Sequence, residues 1–134
     1  MQYKVLIMDN DANSLFSLQN KFISEGFVVI IHNGLGNLEN LKQFINSLKL
    51  DLIISELNFT NIDPFELFNF IKSEPSLAQT PIFIYTFQNQ TLLKDKCRNL
   101  GINYFYSKNE LNLDEFIEKV KKTLSNLKNF KNKN

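Results

Sequence analysis

Short, unbroken apolar runs alternate along this chain with stretches whose apolar residues recur every three or four positions, and that alternation leaves few folds open. The runs are Val5–Met8, Phe27–Ile31, Leu52–Ile54, Ile82–Tyr85 and Tyr104–Tyr106. A strand with one wet face alternates apolar with polar residues, whereas unbroken runs belong to strands covered on both faces. Between them, Leu15, Leu18 and Phe22 carry helical spacing, as do Leu38, Leu41, Ile45 and Leu48, then Phe68 and Ile71, then Leu93, Cys97 and Leu100. The last segment puts Leu113, Phe116, Ile117, Val120, Leu124 and Leu127 on one face. Five strands alternating with five helices predict an α/β fold, a parallel sheet with helices on both sides. Right-handed crossovers make that sheet doubly wound.

Local chemistry punctuates the same boundaries. Asp63 before Pro64 reads as an N-cap followed by a first-turn proline, a position that needs no backbone N–H. Asn112 and Glu115 have the spacing of a capping box. Gly26 and Gly101 each follow a helical stretch and precede a strand, where a left-handed residue ends a helix. Pro81 is tolerated only at the start of its strand.

The 134 residues, 43% hydrophobic and 22% charged, suit one globular domain over residues 1–127. The Lys/Asn-rich segment 128–134, with Phe130 as its one apolar residue, is expected to form a flexible tail. A formal charge of +1 argues against nucleic acid, since phosphate contacts need concentrated Lys and Arg. Cys97 is the sole cysteine, so neither an intrachain disulfide nor a cysteine-based zinc site is available. No signal-peptide core and no apolar stretch approaching about 20 residues is present, so no membrane role and a cytoplasmic location are expected.

In an open parallel sheet, ligands bind beyond the carboxyl ends of the strands. The first strand delivers Asp9, Asn10 and Asp11 to that rim, the third Glu56, Leu57 and Asn58, the fourth Thr86 and Phe87, the fifth Ser107 and Lys108. The first loop has no glycine and carries two acids, which disfavours a nucleotide- or flavin-phosphate cradle and hence a flavodoxin-like enzyme. An acidic rim suits a hard divalent cation such as Mg²⁺.

At these positions the chain resembles the receiver domains of two-component response regulators, including the single-domain chemotaxis type. The resemblance runs from Lys4 to about Leu127 and rests on Val5–Asp11, Asp51–Phe59, Pro81–Thr86 and Gly101–Lys108, in order on successive strands. It implies a flavodoxin-like sheet of strand order 2-1-3-4-5. It also implies a site in which Asp9 and Asn10 stand at the acidic pair and Glu56 at the phosphoacceptor. Asp9, Glu56 and the Asn58 carbonyl would be the metal ligands, Thr86 and Lys108 the phosphoryl contacts, and Phe105 the aromatic that changes rotamer on activation. A signalling kinase or output protein is the implied partner. The fourth helix, fifth strand and fifth helix, with Tyr104, Phe105 and Tyr106, form the implied binding and homodimerisation face.

The departures from that pattern point one way. Glu56 stands where the family has an acceptor Asp, and the added methylene moves the carboxylate by roughly 1–1.5 Å. Phosphoryl transfer depends on positioning, and such a shift costs about a hundredfold. Asn10 removes a charge, Phe87 replaces a small residue and is placed to cover the pocket, Asn109 replaces a proline, and Pro64 replaces a glycine. The expectation is an atypical, non-enzymatic receiver that works as a protein-interaction module without aspartyl phosphorylation. The alternative is a receiver that still binds Mg²⁺ and responds to a phosphodonor.

Plainer roles are open to the same residues. Glu56 and Lys108 can form an ion pair joining strand ends, with Thr86 as a further partner for the longer carboxylate. Asp11 suits a helix N-terminus, Cys97 a small buried hydrophobe, and His32 a loop. Lys119, Lys121, Lys122 and Lys128 suit a solvated helix face. Phe65, Phe68 and Phe70 suit core, unless exposed together with Phe59 as an interface.

Overall fold

A computed structural model describes residues 2–133, with side chains described through Asn129. The elements run β1 (Lys4–Met8), α1 (Ala12–Ser24), β2 (Val28–His32), α2 (Leu38–Asn46), β3 (Leu52–Ser55), α3 (Pro64–Ser73), β4 (Ile82–Thr86), α4 (Thr91–Asn99), β5 (Tyr104–Ser107) and α5 (Leu113–Lys133). The strands form one parallel sheet in the order β2-β1-β3-β4-β5. β1, β3 and β4, in the middle, are almost wholly buried, which is why their sequences are unbroken apolar runs.

The sheet separates two cores. On one side α1 and α5 cover Val5, Ile7, Leu52, Ile54 and Phe83 with Leu18, Phe22, Phe116 and Val120. On the other, α2, α3 and α4 cover Leu6, Met8, Ile53, Ile82 and Ile84 with Leu41, Ile45, Phe68 and Cys97. Alternate residues of each strand thus serve opposite cores, as the period of two requires.

The predicted boundaries have identifiable hydrogen bonds behind them. The Asp63 carboxylate accepts from the Phe65 N–H at 2.9 Å. Asn112 and Glu115 exchange reciprocal bonds of 2.8 and 3.1 Å. α1 and α4 both end in a Schellman motif: Gly26 (φ +91°) and Gly101 (φ +84°) are left-handed, and the N–H groups of Phe27 and Ile102 reach back to the carbonyls of Phe22 and Cys97. α2 stops at Asn46, short of Leu48, where the Ser47 hydroxyl bonds the Phe44 carbonyl at 2.6 Å.

α5 is helical through the Lys/Asn-rich segment to Lys133, where no Gly or Pro interrupts it; Asn134 lies outside the described residues. His32 closes β2 rather than lying in a loop; its Nδ1 accepts from the Gly34 N–H at 2.9 Å and its ring lies 5.7 Å from that of Phe44. No described helix is long and apolar enough to cross a membrane.

Candidate functional site

Parallel pairing sets the ends of β1, β3, β4 and β5 side by side, so the residue after each strand meets its neighbours at one rim. Asp9 follows β1 and Glu56 follows β3, and the Glu56 N–H still bonds the Met8 carbonyl at 2.9 Å. Lys108 follows β5, its N–H bonded to the Thr86 carbonyl at 2.8 Å. A turn closed by Glu110 and Leu111 N–H groups on the Ser107 carbonyl fixes the backbone there. All described peptide bonds are trans, that preceding Asn109 included.

The lysine closes the site. Lys108 Nζ lies 2.8 Å from Asp9 Oδ2, 3.1 Å from Glu56 Oε2 and 3.0 Å from Ser14 Oγ. Ser14 Oγ itself donates to Asp9 Oδ2 at 2.8 Å. Backbone donors take the other carboxylate oxygens: the Asp11 N–H reaches Asp9 Oδ1 at 2.9 Å, and the Leu57 N–H reaches Glu56 Oε1 at 2.7 Å. The charged side chains are buried, Asp9 2% exposed and Glu56 and Lys108 7% each. Two formal negative charges share one positive charge in a place that water scarcely reaches, and every oxygen has a donor. That satisfaction is what makes a buried charge cluster tolerable.

Two aromatic rings flank the ammonium. The Phe87 ring centroid is 5.4 Å from the Lys108 ammonium and that of Tyr85 is 5.7 Å away, both within cation–π range. The Tyr85 hydroxyl donates to the Leu111 carbonyl at 2.7 Å; burial foremost, and then the Glu115 charge, raises its pKa.

Not all the candidate residues converge. Asp9, Glu56 and Lys108 do. Thr86 is fully buried, but its hydroxyl accepts from the Gln88 N–H at 3.1 Å instead of bonding Glu56. Asn10 and Asn58 are exposed, and Asn10 lines a groove on the outer side of α1. Phe105 is half-buried on β5, with Lys94 Nζ 5.6 Å from its ring. Asp11 caps α1, accepting from the Asn13 N–H at 3.3 Å. Cys97 is fully buried, and burial pushes its thiol pKa up to about 11.

Ser14 is the site residue the sequence reading misses. It lies four residues before Leu18 on the same helical face, where the buried stripe of α1 reaches the rim. The phenylalanines around α3 form no open cluster. Phe68 is core, Phe59, Phe65 and Phe70 are partly buried, and Lys96 and Lys42 lie over the last two. Phe59 also packs so closely against Gly34 that a Cβ there would overlap its ring.

The donor set does not fit Mg²⁺ as it stands. An ion held by Asp9, Glu56 and the Asn58 carbonyl would have to displace the ammonium that bridges the two acids. Among the described residues no group of three or more His, Cys, Asp or Glu is placed to hold a metal.

Comparison with known proteins gives a consistent picture. The family model of the response regulator receiver domain matches residues 5–121. The probable transcriptional regulator ycf29 of Porphyra purpurea is 31% identical over 121 residues, which is 90% of this chain and 56% of that protein. Its counterpart from Pyropia yezoensis is 29% identical over 109 residues, 81% of this chain and 47% of that one. The chain therefore spans about half the length of the curated relatives it matches. A two-component response regulator from Clostridium difficile superposes with a TM-score of 0.79 at 27% identity, covering 94% of this chain and 98% of the other. A CheY-like receiver domain protein from Methanospirillum hungatei reaches 0.81 at 19% identity, covering 96% and 98%, a likeness of fold alone.

Proposed function

Because this chain belongs to the response regulator receiver family of two-component signalling, we propose that it is an atypical member, held in one signalling state by Lys108 and read by a protein partner without aspartyl phosphorylation. The observation that carries this reading is the ammonium of Lys108 within hydrogen-bond distance of both Asp9 and Glu56. A phosphodonor must reach a free carboxylate oxygen in line with its leaving group. Here the acceptor-equivalent oxygens are held by the lysine and by the Leu57 N–H. The extra methylene of Glu56 carries its carboxylate to the ammonium, so the side chain itself supplies the negative charge that a phosphoryl group would bring. Neutral, exposed Asn10 adds no charge with which to recruit a cation.

The partner-facing surface in this reading is α4, β5 and α5, around Tyr104, Phe105 and Tyr106. The names of the ycf29 relatives support transcriptional control as the output.

Intact mass and NMR shift mapping after treatment with acetyl phosphate, or with beryllofluoride and Mg²⁺, test the proposal. No adduct and no shift at Thr86 or Phe105 is the expected result. A phosphoryl adduct on Glu56, or large shifts at those residues, overturns it. Glu56→Asp shortens the carboxylate and is expected to gain the adduct that the parent lacks.

A further inference from the structure

Among the described residues, the largest group of exposed apolar side chains lies along the β2 edge of the sheet. We infer that this edge is a homodimer interface, in which two copies pair antiparallel through β2 and continue one sheet across both molecules.

The first support is the backbone. Among the described residues, β2 pairs only with β1. The Val28 N–H bonds the Tyr3 carbonyl and the His32 carbonyl accepts from Asp9, so even-numbered residues of β2 spend their groups on β1. In a pleated strand the odd residues then aim theirs at the open side, which leaves the N–H and C=O of Val29 and Ile31 facing outward. An antiparallel two-fold centred on Ile30 sets Val29 of one copy opposite Ile31 of the other. That is the hydrogen-bonded pairing an antiparallel ladder needs, and it satisfies all these groups at once.

The second support is chemistry. Exposed edges are normally guarded by charge or proline. From Gly26 to Leu38 this chain has no Asp, Glu, Lys, Arg or Pro. Val28, Ile31 and Leu35 are exposed there instead, Leu35 by 62%. α1 contributes Phe16, 64% exposed, and Ile23. At 3.6 residues per turn, Phe16, Gln19 and Ile23 share the flank of α1 beyond β2. The only charged residue of α1, Lys21, sits on the opposite flank, bonded to Asp114 of α5 at 2.7 Å. A groove of about 390 Å³ between Phe16, Gln19, Ile31 and Leu35 has no charged lining. Such a neutral face meets its own copy without like-charge repulsion.

Spacing is the third support. α1 packs over β1 and β2. With strands about 4.8 Å apart, an axis midway between the two β2 strands lies about one strand spacing from a helix centred over the β1–β2 pair. The two α1 helices would then be about 9.6 Å apart, within the 8–10 Å of ordinary helix packing. The two-fold makes the two α1 helices antiparallel, so the Phe16 end of one lies toward the Ile23 end of the other. On the opposite sheet face it sets Val28 against His32.

The other open edge, β5, is a poorer self-interface. Its neighbour α4 carries Lys94, Asp95, Lys96 and Arg98.

Sedimentation of the purified protein from about 10 μM to about 1 mM, with hydrogen exchange at both ends, tests the inference. The expected result is a concentration-dependent dimer with slowed exchange at the Val29 and Ile31 amides. Ile31→Lys should weaken it at least about tenfold while leaving the far-ultraviolet circular dichroism unchanged. Leu92→Lys, on α4, should leave the dimer intact. A monomer throughout the range overturns the inference, as does a dimer lost with Leu92→Lys but kept with Ile31→Lys, or one without protection at Val29 and Ile31.

Discussion

Lys108 is the residue on which the site's stability turns. Among the described residues it is the one cation bonded to the two buried carboxylates of Asp9 and Glu56. Removing one partner of a buried ion cluster leaves uncompensated charge, which costs about 3–5 kcal/mol. Lys108→Met is therefore expected to lower the unfolding free energy by about that much in urea denaturation, and adding Asp9→Asn should return part of the loss. A second residue-scale prediction concerns His32, whose burial lowers its pKa below the ordinary 6.5. The folded protein thus favours the neutral ring, whose Nδ1 accepts the Gly34 N–H. With a depressed folded pKa, this contribution is fully present above about pH 6.5 and is lost as pH falls through the folded value. Urea midpoints should fall as pH drops below about 6.5, and His32→Gln should flatten that slope.

At the scale of elements, stop and start signals did much to bound the helices. The reciprocal bonds of Asn112 and Glu115 satisfy donors at the α5 N-terminus that the helix itself cannot. Asn112→Ala should cost about 1 kcal/mol, read as a shift of the urea midpoint with unchanged slope. Such signals are legible because they act over three or four residues. α5's extension to Lys133 was less legible, because a Lys/Asn-rich stretch with one apolar residue shows no amphipathic period, yet neither Lys nor Asn forbids a helix. Ser14 escaped notice for another reason. Its importance comes from Lys108, 94 positions away, and no local pattern marks a serine for such a partner.

Across the whole molecule, the two cores share the strands of one sheet, so neither side can loosen without the other. Phe116 illustrates this: it is fully buried, stacks on Tyr85 at 4.0 Å and meets the edges of Phe22 and Tyr106. Phe116→Ala is expected to cost about 3–5 kcal/mol. Far- and near-ultraviolet circular dichroism should still report one coincident transition, since loss of the α1–α5 face exposes β1, β3 and β4 together.

Element order, the parallel sheet and the buried central strands can be read from the amino acids alone, because they follow from apolar periodicity, caps and crossover handedness. The sequence likewise places Asp9, Glu56, Thr86 and Lys108 at one rim, since residues that end parallel neighbours must lie together. Which of them touch depends on how the folded chain sets their side chains. Side-chain length, the turn after β5 and the backbone donors at Asp11 and Leu57 brought Lys108 onto both acids and turned Thr86 toward Gln88. The exposed flank along β2 was settled in the same way. Apolar spacing tells that a strand is apolar on both faces, but only its place at the sheet's edge says that one side of its backbone stays open.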